Sequence, residues 1–279
     1  MSTFNTDPGD RIPRAEPDRE SLVIIDAHSH VHDPAHQHVA LLDEAGADRA
    51  VLFATRPHPE RAVDLASFRR EMRVLDVALS GEPGDGYQSA WQELDAALAA
   101  YPDRFLGFRS VRLDLPEDQV AAEVEQAARG FYGIGELTPP PDAAARIEPV
   151  LRAATDHNGL PVVVHGSAPT TERDLSTLAE LARRYPAVPL VLSQLGGAHW
   201  LTAIDLARET PNVYLELSTA SIIFAVRLAI TEVPDRTMFG SDAPYGDPVL
   251  ARATIERVTP PGELRARVLG GTMAEVLGL

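Results

Sequence analysis

Two histidines one residue apart, His28 and His30, stand in Asp26-Ala27-His28-Ser29-His30, directly after the apolar run Leu22-Val23-Ile24-Ile25. That run predicts a buried strand, and on a strand residues i and i+2 point to the same side. Both imidazoles then leave the carboxyl end of the strand side by side, where they can share one metal ion. Other polar residues follow later apolar runs: Glu136, His165, Gln194, Ser218 and Asp242. A His-X-His, a later single His and a terminal Asp make a nitrogen and oxygen ligand set suited to Zn2+ or a similar divalent ion, with Mn2+ as the alternative. Each signal is weak alone. A lone His after an apolar run is commonly a hydrogen-bonded structural residue, and the Asp of Gly240-Ser241-Asp242 can simply cap a turn or helix. Their order, each at the end of a separate strand, points to a metal-dependent enzyme.

The elements that must position these groups alternate regularly. Short apolar runs predict strands over 22–27, 50–54, 105–111, 133–137, 161–165, 190–194, 213–217 and 237–240. Amphipathic stretches predict helices over 61–79, 87–100, 117–129, 143–158, 174–184, 200–209 and 248–258, with a closing helix over 262–277. Strands alternating with helices imply a parallel sheet. Eight strands in this length imply a closed (β/α)8 TIM barrel, an α/β fold in a single domain, whose chemistry sits at the carboxyl ends of the strands. The barrel is expected over 21–279, preceded by a flexible arm over 1–20 that is polar and rich in Pro, Asp and Arg. The glycine-rich connection at 80–86 and the segment after the second strand, from Arg56 to Pro59, are expected to flank the pocket mouth.

Composition narrows the chemistry. The net charge of −16 disfavours nucleic acids and anionic membranes as partners. No run approaches 18 apolar residues, so no membrane-spanning helix is expected, and a cytoplasmic location follows by default. The chain has no cysteine, which removes disulfides and thiolate metal sites. It also has no lysine, all 25 basic residues being arginine, which removes Schiff-base chemistry and a lysine carbamate bridging two metals. Arg56, Arg109 and Arg112 lie near the ends of the second and third strands. There they suggest a small, anionic or carbonyl-rich substrate, the alternative being pairing with acids on neighbouring loops. The remaining histidines receive lesser roles: His36 and His38 at the surface of the first loop and helix, His32 within reach of the pocket, His58 in a rigid loop.

The chain resembles the amidohydrolase superfamily, specifically the branch that includes aminocarboxymuconate-semialdehyde decarboxylase and related decarboxylases and lactone hydrolases. The resemblance rests on Ile25-Asp26-Ala27-His28-Ser29-His30, Val163-Val164-His165, Leu192-Ser193-Gln194-Leu195-Gly196-Gly197, Leu215-Glu216-Leu217-Ser218 and Phe239-Gly240-Ser241-Asp242-Ala243-Pro244. It implies that His28, His30, His165 and Asp242 hold one divalent metal, and that Asp242 also serves as general base toward a metal-activated water. One position departs from the family. The sixth strand of this branch usually ends in a histidine, and here that residue is Gln194, whose amide can hydrogen-bond but cannot act as acid or base. Asp242 then carries all proton transfer, with Gln194 polarising a carbonyl; or His199 swings into the position; or the chain is a metal-binding barrel without turnover. Glu136 resembles the metal-bridging carboxylate of other branches, and is read here as orienting a ligand or touching substrate rather than bridging two metals.

The expected function is hydrolysis of a C–N or C–O bond in an amide, lactam or lactone, with non-oxidative decarboxylation of a small carboxylic acid as the alternative. The partner is a small molecule, and a homodimer is compatible with this reading.

Overall fold

The computed structural model describes residues 23–79 and 86–279. The arm expected at 1–20 and the loop expected at 80–86 lie outside the described residues, Gly86 excepted. The strands are β1 Ile25–His30, β2 Arg49–Phe53, β3 Phe105–Arg109, β4 Gly133–Leu137, β5 Val162–Val164, β6 Leu190–Leu192, β7 Val213–Glu216 and β8 Thr237–Met238. They pair in sequence order, all parallel. Beyond β8 the chain also meets β1: Ala27 N–H donates to the Phe239 carbonyl at 2.9 Å and His30 N–H to the Ala243 carbonyl at 2.7 Å. The eight strands therefore form the expected barrel.

Helices clothe the barrel: α1 Ala35–Ala45, α2 Leu65–Leu79, α3 Gly86–Ala100, α4 Glu117–Ala128, α5 Glu148–Asp156, α6 Glu172–Arg184, α7 Trp200–Glu209, α8 Ile223–Glu232 and α9 Pro248–Val258. The chain closes through α10 Glu263–Ala266, a π-helical turn and α11 Thr272–Leu277. No described helix is long and apolar enough to cross a membrane. Helix α2 starts later than its periodicity predicts because Asp64 caps it, accepting from Ser67 N–H at 2.7 Å. Helix α8 has no counterpart in the expected elements. Its sequence is apolar nearly all round, with Ile223, Phe224 and Leu228 exposed, so it carries little helical periodicity.

Alternation along the strands separates two apolar layers. Val162 and Val164 face the helices while Val163 faces the barrel interior; Leu190, Val191 and Leu192 divide the same way. The interior is filled by Phe53, Leu106, Phe108, Val191 and Met238 among others. Phe53 forms the floor under the catalytic face, its ring 4.9 Å from that of His28 and 5.6 Å from that of Phe108. All six residues of β1 are buried, so the strand extends past its apolar run through both histidines.

Asp26 secures the join between β1 and the end of β8. Its carboxylate accepts from Ser241 N–H at 2.8 Å, from Ser29 Oγ at 3.0 Å and from Ser241 Oγ. Burial pushes its carboxyl up to about 6, against these hydrogen bonds, which favour the ionised form.

His38, expected at the surface, is fully buried. It lies on the inner face of α1 with Leu42 and Ala45, one helical turn apart, and stacks on His32 at 4.2 Å between ring centroids. Burial holds the His32 imidazole down at about 4 and that of His38 well below its usual range. Both fold as neutral rings, whereas the unfolded chain takes up protons below about pH 6.5. Stability contributed by the pair is therefore full above pH 6.5 and is lost as pH falls toward 4, by about 3 kcal/mol from His32 alone. Urea unfolding in chelator should show this loss between pH 7 and pH 4.5, and His38→Leu should flatten it. An unchanged pH slope in the variant would show that the stacked pair is not its source.

Candidate metal centre

Four side chains converge above Phe53 at the carboxyl ends of β1, β4 and β8. The Nε2 atoms of His28 and His30 stand 3.3 Å apart. Asp242 Oδ1 lies 3.5 Å from the first and 3.2 Å from the second. Glu136 Oε2 lies 3.7 Å and 3.8 Å from the same two atoms. Ligands about 2.1 Å from a common ion, at tetrahedral or octahedral angles, stand about 3.0–3.4 Å from one another. The observed spacings are within a few tenths of an ångström of that range. His28, His30 and Glu136 form the one group of donors among the described residues close enough to hold a metal.

The surroundings prepare His28 for this task. Its Nδ1 lies 3.0 Å from Glu216 Oε2, so the ring donates there and turns Nε2 toward the cluster, where it can bind an ion in place of a proton. Glu216 is fully buried and is itself held by Ser218 N–H and by Ser218 Oγ at 2.7 Å. A Cβ on Gly240 would come within 2.1 Å of Glu216 Oε1 and 3.0 Å of His28 Cβ, so glycine is what lets these two side chains meet. Sequence reasoning missed Glu216. A lone acid ending an apolar strand in the alternation of β7 was its only signal.

Electrostatics favour a cation at this point. Burial opposes charge on His28, yet Glu136, Asp242 and Glu216 overcome it and raise the imidazole to about 10. Burial likewise opposes ionisation of Glu136, but His28, His165 and His30 hold its carboxyl well below the usual range. His30 Nδ1 is buried without a hydrogen-bond partner among the described residues. Acids and imidazoles so arranged are satisfied by protons or by a divalent ion, and the residues fit such an ion.

The other expected site residues divide. His165 stands beside the cluster: its Nδ1 lies 3.1 Å from Glu136 Oε1 and its Nε2 3.0 Å from the Ala168 carbonyl. Glu136, expected to orient a ligand or touch substrate, is instead at the centre of the donor group. Gln194 is buried and reaches both carboxylates, with Nε2 3.2 Å from Glu136 Oε1 and 3.3 Å from Asp242 Oδ2. Its two N–H donors are thus occupied, which replaces the expectation that they polarise a substrate carbonyl. His199 ends the turn before α7, beside Trp200, and does not line the cavity, so the alternative in which it swings into the sixth-strand position finds no support. Arg109 also faces away. Its guanidinium stacks 4.5 Å over Trp91 and 5.3 Å from Phe131, and pairs with Asp95. Arg56 does line the cavity, as does Arg146, which sequence reasoning did not single out. Pro57 lines it too, whereas His58 turns away to Glu60 and Glu93 at 2.9 Å each.

The cavity has a volume of about 390 Å3. Its base is His30, Glu136, Asp242 and Gln194; its walls include Leu75, Val111, Leu113, Leu137 and Pro140. Tyr245 closes one side, edge-on to His30 at 5.7 Å, and burial raises its phenol above the usual range.

The amidohydrolase family model matches residues 25–279. The chain belongs to the amidohydrolase family. No curated protein matches the sequence. Among solved structures, this amidohydrolase is similar to 5-carboxyvanillate decarboxylase from Sphingomonas paucimobilis, at 20% identity and a TM-score of 0.65, over 93% of this chain and 100% of that one. It is similar to 2,6-dihydroxybenzoate decarboxylase from Rhizobium, at 15% identity and a TM-score of 0.63, over 91% and 98%. It is also similar to a dihydroxybenzoic acid decarboxylase from a Polaromonas species with bound manganese and the inhibitor 2-nitroresorcinol, at 17% identity and a TM-score of 0.64, over 92% and 97%. These matches overturn the expectation of hydrolysis at a C–N or C–O bond. The similar enzymes cleave a C–C bond, which backs the decarboxylase alternative.

If Glu216 sets the His28 tautomer, Glu216→Gln should weaken divalent metal binding by about 10- to 100-fold, the usual cost of losing such a partner. Competition against a chromophoric chelator measures it. Parental affinity in that variant would show that Glu216 serves folding alone.

Proposed function

We propose that this amidohydrolase is a metal-dependent, non-oxidative decarboxylase of a small aromatic carboxylic acid. The observation that supports this most is the match in fold, over nine-tenths of the chain, to decarboxylases of hydroxylated aromatic acids. An apolar-walled cavity ending in a cation-demanding base suits a ring with a carboxylate at its leading edge. In this reading His28, His30, Glu136 and Asp242 hold the ion, with His165 beside Glu136 as a fifth donor. Manganese is the first candidate, because three of the similar structures hold it, and zinc the second.

When bound, the ion supplies positive charge to the substrate carboxylate. The chain's residues supply the rest. Leu113, Leu137 and Pro140 hold the ring and exclude water from it. Arg56 and Arg146 at the cavity wall attract an anionic substrate into a protein of strongly negative net charge. In the net reaction the carboxylate's C–C bond breaks, its electron pair stays on the ring carbon, CO2 leaves, and that carbon takes one proton. Gln194 has no proton to give, so we assign delivery to Asp242, whose carboxyl lines the cavity and takes up the proton from solvent before passing it to the carbon. This replaces its expected role as base toward an attacking water.

A second reading, a metal-binding barrel without turnover, is favoured by Gln194 alone. One experiment separates the two. Protein stripped by chelator and reloaded with Mn2+ or Zn2+ is assayed for CO2 release from 5-carboxyvanillate, 2,6-dihydroxybenzoate and related hydroxybenzoates. The expected result is metal-dependent release of one CO2 per acid consumed, reduced at least 100-fold in Asp242→Asn. Stoichiometric metal with no turnover across the panel would leave the non-catalytic reading standing.

A further inference from the structure

The amide of Gln194 makes contacts that a histidine in its place could not. Its Oε1 accepts from Gly166 N–H at 3.0 Å and Ser167 N–H at 3.3 Å. These backbone donors settle the amide's orientation, since the opposite one would set its NH2 against two N–H groups and its carbonyl against two carboxylates. The NH2 group is thereby aimed at Glu136 Oε1 and Asp242 Oδ2. The oxygens left over, Glu136 Oε2 and Asp242 Oδ1, are the two that face the imidazoles of His28 and His30. Glu136 Oε1 also accepts from Ser193 Oγ at 2.6 Å and lies 3.1 Å from His165 Nδ1. Gln194 thus shares the holding of that oxygen and is the group that ties it to Asp242 Oδ2, sorting the four carboxylate oxygens into a held pair and a presented pair. Its backbone N–H also reaches Glu216 Oε2 at 3.1 Å, the oxygen that orients His28.

The arrangement is built at some cost. Gln194 sits in the left-handed region at φ 51°, ψ 28°, uncommon for a residue with a side chain. Gly166 approaches so closely that a Cβ there would lie 2.0 Å from the Ser193 carbonyl oxygen. A neutral imidazole has one donor and one acceptor, too few to accept from this backbone and donate to two carboxylates together.

We propose that Gln194 is a positioning residue: its amide fixes Glu136 and Asp242 as single-oxygen donors toward the divalent cation, through Oε2 and Oδ1. The inference rests on the metal set assigned under the proposed function, but its test needs no turnover. X-ray absorption and a crystal structure of the Mn2+- or Zn2+-loaded parent should show both carboxylates bound through one oxygen, with the amide on the other. Gln194→Met keeps the length without the hydrogen bonds. It should lose about 10- to 100-fold in metal affinity by chelator competition and shift at least one carboxylate to two-oxygen binding. Two-oxygen binding in the parent, or a Met variant with parental affinity and coordination, would overturn the role of Gln194 while leaving the metal site intact. Should the Met variant not fold, the parent's coordination decides alone. A parent that binds neither ion removes the metal reading and this inference together.

Discussion

The structure depends on keeping buried negative charge beside buried imidazoles at the mouth of a barrel. Glu136, Glu216 and Asp242 surround His28, and each is almost wholly removed from water. Unpaired, carboxylates so placed would each cost several kcal/mol in desolvation. Together with the imidazoles they form a set that either protons or one divalent ion can neutralise. Much of the local architecture serves to hold that set in place. Phe53 supplies an apolar floor, Gly240 lets Glu216 reach His28, and Asp26 pins the turn from which Asp242 projects.

Barrel topology explains why these groups can be so near in space and so distant in sequence. His28 and Glu216 are 188 residues apart, and His28 and Ser241 are 213 apart, yet each pair shares a hydrogen bond. Closing β8 onto β1 brings the first and last strands together. The closure is polar as well as apolar: backbone bonds from Ala27 and His30 run beside the buried Asp26 carboxylate and its two serines. Disturbing that join would move His28, His30 and Asp242 at once, so fold stability and metal binding are coupled through the same few residues.

The barrel was legible in the sequence because its strands are short apolar runs and most of its helices are amphipathic. The histidine pair was legible for a related reason, since a period of two needs no tertiary information. What failed to show was whatever depends on contact across the barrel. Glu216 resembles any lone acid at a strand end until His28 is seen behind it. Arg109 ends its strand like a substrate-binding residue, but the stacking surface of Trp91 and Phe131 turns it outward. His38 looked like a surface residue because three histidines in one short segment read as polar, whereas its helix carries it inward with Leu42. Helix α8 escaped because an element apolar on most sides has no period to detect.

Gln194 shows the limit from the other direction. From sequence it is a loss, an acid–base group exchanged for an inert amide. In the structure the same amide bridges two carboxylates and is anchored by two backbone donors. The change therefore replaces a group able to carry a proton with a hydrogen-bonding bridge between two carboxylates. A histidine at this point could carry a proton but could not hold both carboxylates, whereas the glutamine holds both and carries none. With position 194 committed to geometry, the proposed reaction leaves proton delivery to the Asp242 carboxyl. A decarboxylation needs one proton delivered to carbon and no activated water, which is a task that a single carboxyl beside a well-fixed cation can perform.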